Sequence, residues 1–334
     1  MTDGISKGRI AAEFAKMRIK HPRIEQVIQK FDSAREMRRN APDEEQRYVE
    51  FFAKSHTGKS TAVKYYLEKV VVPEVVKDGL FPADMPAKAV ARKQNRVVHV
   101  TLTEKATRRS LYSDILRRLG DEEADSGDIP DLRKRVYDYL ADEQVELLIL
   151  DEIQHLSVGI MKQSEGRKTK GLTSQGTDVS DALKKMMIDG LVPIVFVGVP
   201  EARVHFAVDE QLPNREIDKV DFSPIRWTVS EERSLFVDYC IETGVRIQKT
   251  GLMPEISNFG SNGIAASLWA ASDGRIGLVS RLCEEATFHA SSRGAKRVEF
   301  QDLELAVDTR GIPNGFSTYN PFTHGVRDLE EKTE

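Results

Sequence analysis

The sequence predicts an α/β domain with a parallel sheet flanked by helices, followed by an all-α domain. From about residue 47 to 222, short apolar runs alternate with stretches of helical periodicity, the pattern of strands joined by crossover helices. The runs at 145–150 and 192–197 are continuously apolar, as strands covered on both faces require. After residue 230 the apolar spacing is helical only, which marks a change of architecture.

Residues 5–39 read as helix. Ile10, Phe14 and Met17 make one apolar stripe, and Ile24, Val27, Ile28 and Phe31 make another. His21-Pro22 divides the two, because a residue before proline is pushed out of the helical region. A polar turn at 40–46 leads into a first strand at 47–52, interrupted by Glu50, and helix returns at 61–72. The prolines at 73, 82 and 86 mark residues 73–95 as a connection holding a short helix. A strand at 96–102, a helix at 110–119, an acidic loop at 120–130, a helix at 132–140 and a strand at 145–150 follow. Residues 157–178, rich in Gly, Ser, Thr and Lys, read as a long loop before a helix at 181–188 and a strand at 192–197. Helices are expected at 231–242, 263–272, 276–291 and 300–308, and residues 311–334 read as an extended tail. The expected organisation is a basic helical segment at 1–40, an α/β domain at 41–225, a helical lid at 226–310 and a C-terminal tail at 311–334.

Composition excludes several classes. A chain of 334 residues accommodates about two domains of 100–200 residues. With 40% hydrophobic and 31% charged residues it has material for a core and a polar surface, and no apolar run reaches the ~18 residues of a membrane span. The two cysteines lie far apart, which excludes a disulfide framework and a zinc finger and fits a reducing cytoplasm. MTDGISKGRI lacks the apolar stretch of a secretory signal. The net charge of −4 gives no global positive field, yet residues 92–118 carry eight Lys/Arg against two Asp/Glu. That local excess is either a solvated helix face or a polyanion contact.

The chemistry concentrates in two segments. Residues 53–61 read Ala-Lys-Ser-His-Thr-Gly-Lys-Ser-Thr between a strand and a helix, the phosphate-loop pattern with Ala53 where its first glycine stands. Backbone N–H groups across Ser55, His56, Thr57, Gly58 and Thr61 would face phosphates at a helix N-terminus. Lys59 would reach the β- and γ-phosphates of ATP, and the Ser60 hydroxyl would bind Mg²⁺. Residues 147–152, LLILDE, are an apolar strand ending in two acids. Asp151 would hold Mg²⁺ directly or through water, and Glu152 would orient and polarise the attacking water. Gln154 and His155 then read equally as γ-phosphate sensors or as packing residues opening a loop.

The ordered set His21-Pro22-Arg23, SHTGKST, LLILDEIQHL, FVGVPEA, DEQLPNR and SDGRIGLVSRL resembles the AAA+ transposition regulators of the TnsC/TniB kind, over roughly residues 18–310. MuB and the origin-recognition initiators are more distant relatives. The resemblance implies an AAA+ P-loop domain with an all-α lid, and an ATPase that oligomerises on duplex DNA as a ring or helical filament. Its implied partners are DNA, further copies of itself, a transposase and a TniQ-like target selector, in some systems an RNA-guided complex. A membrane is not among them.

The resemblance makes Arg215 the arginine that completes a neighbouring subunit's site, with Arg203 a weaker candidate. It makes Arg275 a lid-borne sensor of ATP. A conventional polar sensor at the end of the 192–197 strand is missing. Both Arg215 and Arg275 also read as ordinary surface arginines. In this family the segment after the second strand faces the DNA channel, which singles out Thr103, Lys105, Thr107, Arg108 and Arg109. Lys168 and Lys170 in the long loop are a second candidate contact. Tyr319-Asn320-Pro321-Phe322 reads either as a docking peptide or as a segment folded on its own domain. The other function classes are a replication initiator or helicase loader, a P-loop enzyme acting on a small molecule, and a scaffold that binds ATP without cleaving it.

Overall fold

The computed structural model describes residues 4–104, 106–156, 175–203, 215–261 and 263–327. They fall into two compact units, one of residues 23–53 and 59–222, the other of the N-terminal residues to 22, the loop 54–58 and the chain from 223 onward.

The first unit is built on a five-stranded, all-parallel sheet in the order β2-β3-β4-β1-β5. The strands are β1 (Tyr48–Phe52), β2 (Val97–Thr101), β3 (Leu147–Asp151), β4 (Ile194–Gly198) and β5 (Glu216–Lys219). Alternation sends Tyr48, Phe52, Leu148, Leu150, Ile194 and Phe196 to one core. Val49, Phe51, Leu147, Ile149, Val195 and Val197 go to the other. Every residue of β1, β3 and β4 is buried, which is why β3 and β4 read as nearly continuous apolar runs. The helices Arg108–Leu119, Ile129–Asp142 and Gln175–Ile188 cover the first face, and Pro22–Asn40, Lys59–Tyr66 and Ala87–Lys93 cover the second.

Local chemistry sets the helix ends. Thr107 and Asp128 each open a helix through a capping box, so each side chain satisfies a backbone N–H that has no partner within the helix. Arg35, 1% exposed, ties Pro22–Asn40 to the body through Glu74, Glu146 and the Tyr66 hydroxyl. Glu50, the charge that interrupts β1, is buried and accepts from Arg203 Nε at 2.8 Å. The strand β5 was not expected. Its sequence EIDK is charged, as befits an edge strand, and hides the period that betrays a buried one.

The second unit is helical: Lys7–Lys16, Ser230–Lys249, Ile264–Ser272, Ile276–Ser292, Phe300–Ala306 and Pro321–His324. Ile10 and Phe14 share its core with Phe236, Leu268, Val279, Leu282 and Phe322. The segment after 311 does not extend. The Asn320 amide donates to the Glu304 carbonyl at 2.9 Å and to Asp308 Oδ1 at 2.8 Å. Phe322 is buried, with its ring edge-on to Phe300 at 5.1 Å. Of the two readings of Tyr319–Phe322, the structure has the folded-back one. Among the described residues, no helix is long and apolar enough to cross a membrane.

Candidate nucleotide site

In the α/β unit, β1 and β3 deliver the phosphate-loop lysine and the paired acids to the carboxyl ends of the strands, where open α/β sheets bind ligands. Ala53 N–H donates to the Gly198 carbonyl at 3.0 Å, extending the β1–β4 ladder by one residue. Ala53 is buried and needs no left-handed backbone, so alanine serves where the pattern has glycine. The left-handed positions of the loop are His56 (φ 64°) and Gly58 (φ 106°). Ser55 and His56 are exposed. Thr57 is buried and its hydroxyl donates to the Lys54 carbonyl at 2.9 Å.

Lys59 begins the helix Lys59–Tyr66 and its ammonium donates to the Ala53 carbonyl. Burial pulls this ammonium below the usual lysine range, against the attraction of Asp151, Glu152 and Glu201. A desolvated ammonium gains from a polyphosphate placed beside it, because the added negative charge favours the charged form. Ser60 and Thr61 lie exposed in the first turn of the same helix.

Asp151 is 5% exposed at the end of β3. One oxygen accepts from Glu152 N–H at 2.9 Å, and the other lies 3.5 Å from His99 Nε2 on β2. His99 was not singled out from the sequence, though a histidine inside the apolar run RVVHVTL was the available signal. Glu152 follows in a left-handed conformation (φ 60°, ψ 40°) with its carboxylate partly exposed. The Gln154 amide donates to that carboxylate, and its oxygen accepts from Val199 N–H at 3.3 Å.

The donor set suits magnesium. Ser60 and Asp151 offer hard oxygen ligands, and among the described residues no three His, Cys, Asp or Glu form a metal cage. Mg²⁺ favours such sites, where one or two protein oxygens leave the remaining positions to water and phosphate.

In the helical unit, Asp273 and Gly274 are both left-handed and Arg275 begins the helix Ile276–Ser292. Arg275 is half-buried, and its Nε donates to the Ser272 carbonyl at 3.2 Å. A Cβ on Gly277 would lie 2.4 Å from the His56 carbonyl oxygen, so the phosphate loop rests on the bare backbone of that helix.

The remaining predicted residues are spread out. Arg215 is ion-paired with Glu45 in its own unit. The Thr103 hydroxyl faces Asp114 at 3.4 Å, and Thr107 is spent on its helix cap. Arg109 donates to the Gly127 and Asp125 carbonyls at 2.8 and 2.6 Å. Arg108 stands in the first turn of Arg108–Leu119, where the helix dipole disfavours a cation. Lys105, Lys168 and Lys170 lie outside the described residues.

A parallel sheet in this order, with a phosphate loop after β1, paired acids after β3 and a helical C-terminal region, defines an AAA+ P-loop protein. The chain belongs to the bacterial TniB family, whose model matches residues 9–221. No curated protein matches it. Among solved structures it is similar to the ORC2 protein of Aeropyrum pernix in its ADPNP–ADP complexes, with 13% identity, a TM-score of 0.55, and coverage of 88% of this chain and 68% of that one. It is also similar to Cdc6p from Pyrobaculum aerophilum, with 15% identity, a TM-score of 0.52, and coverage of 87% and 68%. The ORC1 protein of Aeropyrum pernix in complex with DNA matches at 14% identity and TM-score 0.51, over 88% of this chain and 66% of that one. At such identities the likeness is one of fold.

Proposed function

We propose that the protein is an ATP-hydrolysing, DNA-binding regulator of transposition that assembles on duplex DNA and resets the assembly by cleaving ATP. The observation that carries this is the convergence of Lys59 with Asp151 and Glu152 at the strand ends of a TniB-family chain. The proposed oligomer is a ring or helical filament that links a TniQ-like target selector to a transposase.

The residues divide the work by their chemistry. Backbone N–H groups of 55–61 cradle the phosphates, and the Lys59 ammonium pairs with the β- and γ-oxygens. Ser60 and Asp151 would hold Mg²⁺, which when bound neutralises charge building between the β- and γ-phosphates. Glu152 orients a water and takes up its proton at a carboxylate oxygen. Arg275 would touch the nucleotide from the lid. Arg215 would serve a neighbouring copy by exchanging Glu45 for a phosphoryl oxygen. The cations Lys105, Arg108, Arg109, Lys168 and Lys170, with the hydroxyls of Thr103 and Thr107, would contact phosphates of the duplex. Such contacts set position without reading sequence.

The test is ATPase activity together with electron microscopy of the protein on random duplex DNA, with ATP, with a slowly cleaved analogue and without nucleotide. Lys59→Ala should abolish nucleotide binding and assembly. Glu152→Gln should keep both and lose about two to four orders of magnitude in kcat, the usual worth of a general base. A wild-type protein that neither cleaves ATP nor assembles on DNA overturns the reading.

A further inference from the structure

Glu152 is held at one side-chain oxygen by a residue two positions on. We infer that Gln154 is the positioning residue of ATP hydrolysis: its amide fixes the Glu152 carboxylate and couples it to the end of β4. The inference rests on the reading above, in which Glu152 orients the attacking water.

Three features support it. First, the Gln154 amide is used at both ends. Its nitrogen donates to Glu152 Oε2, and its oxygen accepts the Val199 N–H at 3.3 Å. In the reading above, Glu152 Oε1 is then the oxygen that would take the water.

Second, the backbone prepares the pair. Glu152 sits in the left-handed region, and its N–H is taken by Asp151 Oδ1 at 2.9 Å. A non-glycine residue in that region carries strain. Here the turn reverses the chain, so the short 3₁₀ segment Ile153–His155 brings Gln154 back over the carboxylate.

Third, the floor beneath the amide is a glycine. A Cβ on Gly198 would stand 2.9 Å from Gln154 Oε1 and 2.6 Å from Ile153 Cγ2. Gly198 has no left-handed backbone that would require glycine for conformational reasons. The space is filled by the Ile153 side chain and the Gln154 amide together.

The arrangement also accounts for a gap in the sequence. Strand β4 ends Gly198-Val199-Pro200, with no polar side chain to face a nucleotide. Gln154 reaches that strand end from the neighbouring strand's loop. A shift at the end of β4 therefore moves the glutamate, and the general base is in register only when both strand ends are.

Two substitutions break the link from opposite sides. Gln154→Met keeps the side chain's length and removes both hydrogen bonds. Gly198→Ala keeps Gln154 and crowds its amide, along with the Ile153 side chain. Steady-state ATPase kinetics and the affinity for a fluorescent ATP analogue are measured for wild type, Lys59→Ala, Glu152→Gln, both variants and the double variant. Each variant should lower kcat by about tenfold or more, the worth of a hydrogen bond to a charged group, with KM and analogue affinity within about twofold of wild type. The double variant should lose no more than the worse single variant, because both act on one contact. Gln154→Glu, which sets a second carboxylate against Glu152, should be as impaired as Gln154→Met.

Unchanged or raised kcat in Gln154→Met, or losses that multiply in the double variant, overturn the inference while ATP hydrolysis by wild type stands. Weakened analogue binding in step with kcat makes Gln154 a structural residue and overturns it equally. If wild type itself cleaves no ATP, the failure belongs to the parent reading.

Discussion

At the residue scale, small groups set the phosphate loop's surroundings. Gly277 is 2.4 Å from the His56 carbonyl by its missing Cβ, and a backbone oxygen yields less readily than a side-chain end. Gly277→Ala should cost about 1–3 kcal/mol of stability, as overpacking does, seen as a lower denaturant midpoint. It should also weaken nucleotide binding by displacing the loop. The two cysteines make a contrasting case. Cys240 and Cys283 are free and fully buried, and burial pushes both thiols well above the usual range. Since the thiolate is the reactive form, a thiol reagent at about pH 8 should label neither in the native protein and both once it is unfolded. Rapid native labelling would show that the core opens.

At the scale of elements, the N-terminal helix Lys7–Lys16 belongs to the helical unit's core. Ile10 is completely buried and Phe14 nearly so. Ile10→Ala should destabilise that unit by about 2–5 kcal/mol, measured by chemical denaturation. The helix is also held by charge: Lys7 donates to Glu285 at 2.8 Å, and Ile5 N–H donates to Ser291 at 2.7 Å. Burial works against the Glu285 charge, but Lys7 and Arg310 prevail and hold its carboxyl below the usual range. A carboxyl depressed in the native state contributes stability above the unfolded value of about 4.3 and loses it as pH falls through the native value. Melting of the helical unit should therefore soften below about pH 4, and Glu285→Gln should flatten that dependence. An unchanged acid slope in that variant would show that other carboxyls govern it.

At the scale of the whole molecule, a net charge of −4 leaves the proposed DNA binding to local cations. Each phosphate neutralised contributes about 0.9 to the slope of log affinity against log salt, and an assembly repeats its contacts in every copy. With ATP bound, duplex binding should fall steeply with salt and show little sequence preference. Arg108→Ala should lower both affinity and slope. Arg109→Ala tests something different, because Arg109 also closes the acidic loop through the carbonyls of Asp125 and Gly127. Its loss should lower the thermal midpoint as well. Equal salt slopes in wild type and Arg108→Ala would remove this segment from the DNA surface.

Much of the fold was legible because its signals are local. Apolar runs that end in a glycine loop or an Asp-Glu pair, helical stripes, and His21-Pro22 as a divider all depend on neighbours within one turn or one strand. The placement of Lys59, Asp151 and Glu152 just beyond or at strand ends was legible for the same reason: each follows its apolar strand in a fixed order, and order is what a sequence displays. What stayed hidden depends on contacts between distant residues. Strand β5 is charged and takes its identity from lying beside β1. Glu50 looked like a fault in a strand until Arg203, 153 residues later, came to it. Arg215 finds Glu45 across 170 residues, and Tyr319–Phe322 finds a berth on Phe300 and Glu304. The chain's order of residues therefore determined the elements and the chemical groups at their ends. Only the tertiary structure decided which charges neutralise one another, which glycines must lack a side chain, and that Gln154 meets Glu152 and the end of β4 together. Those outcomes depend on strand order and close packing, which bring together groups far apart in sequence.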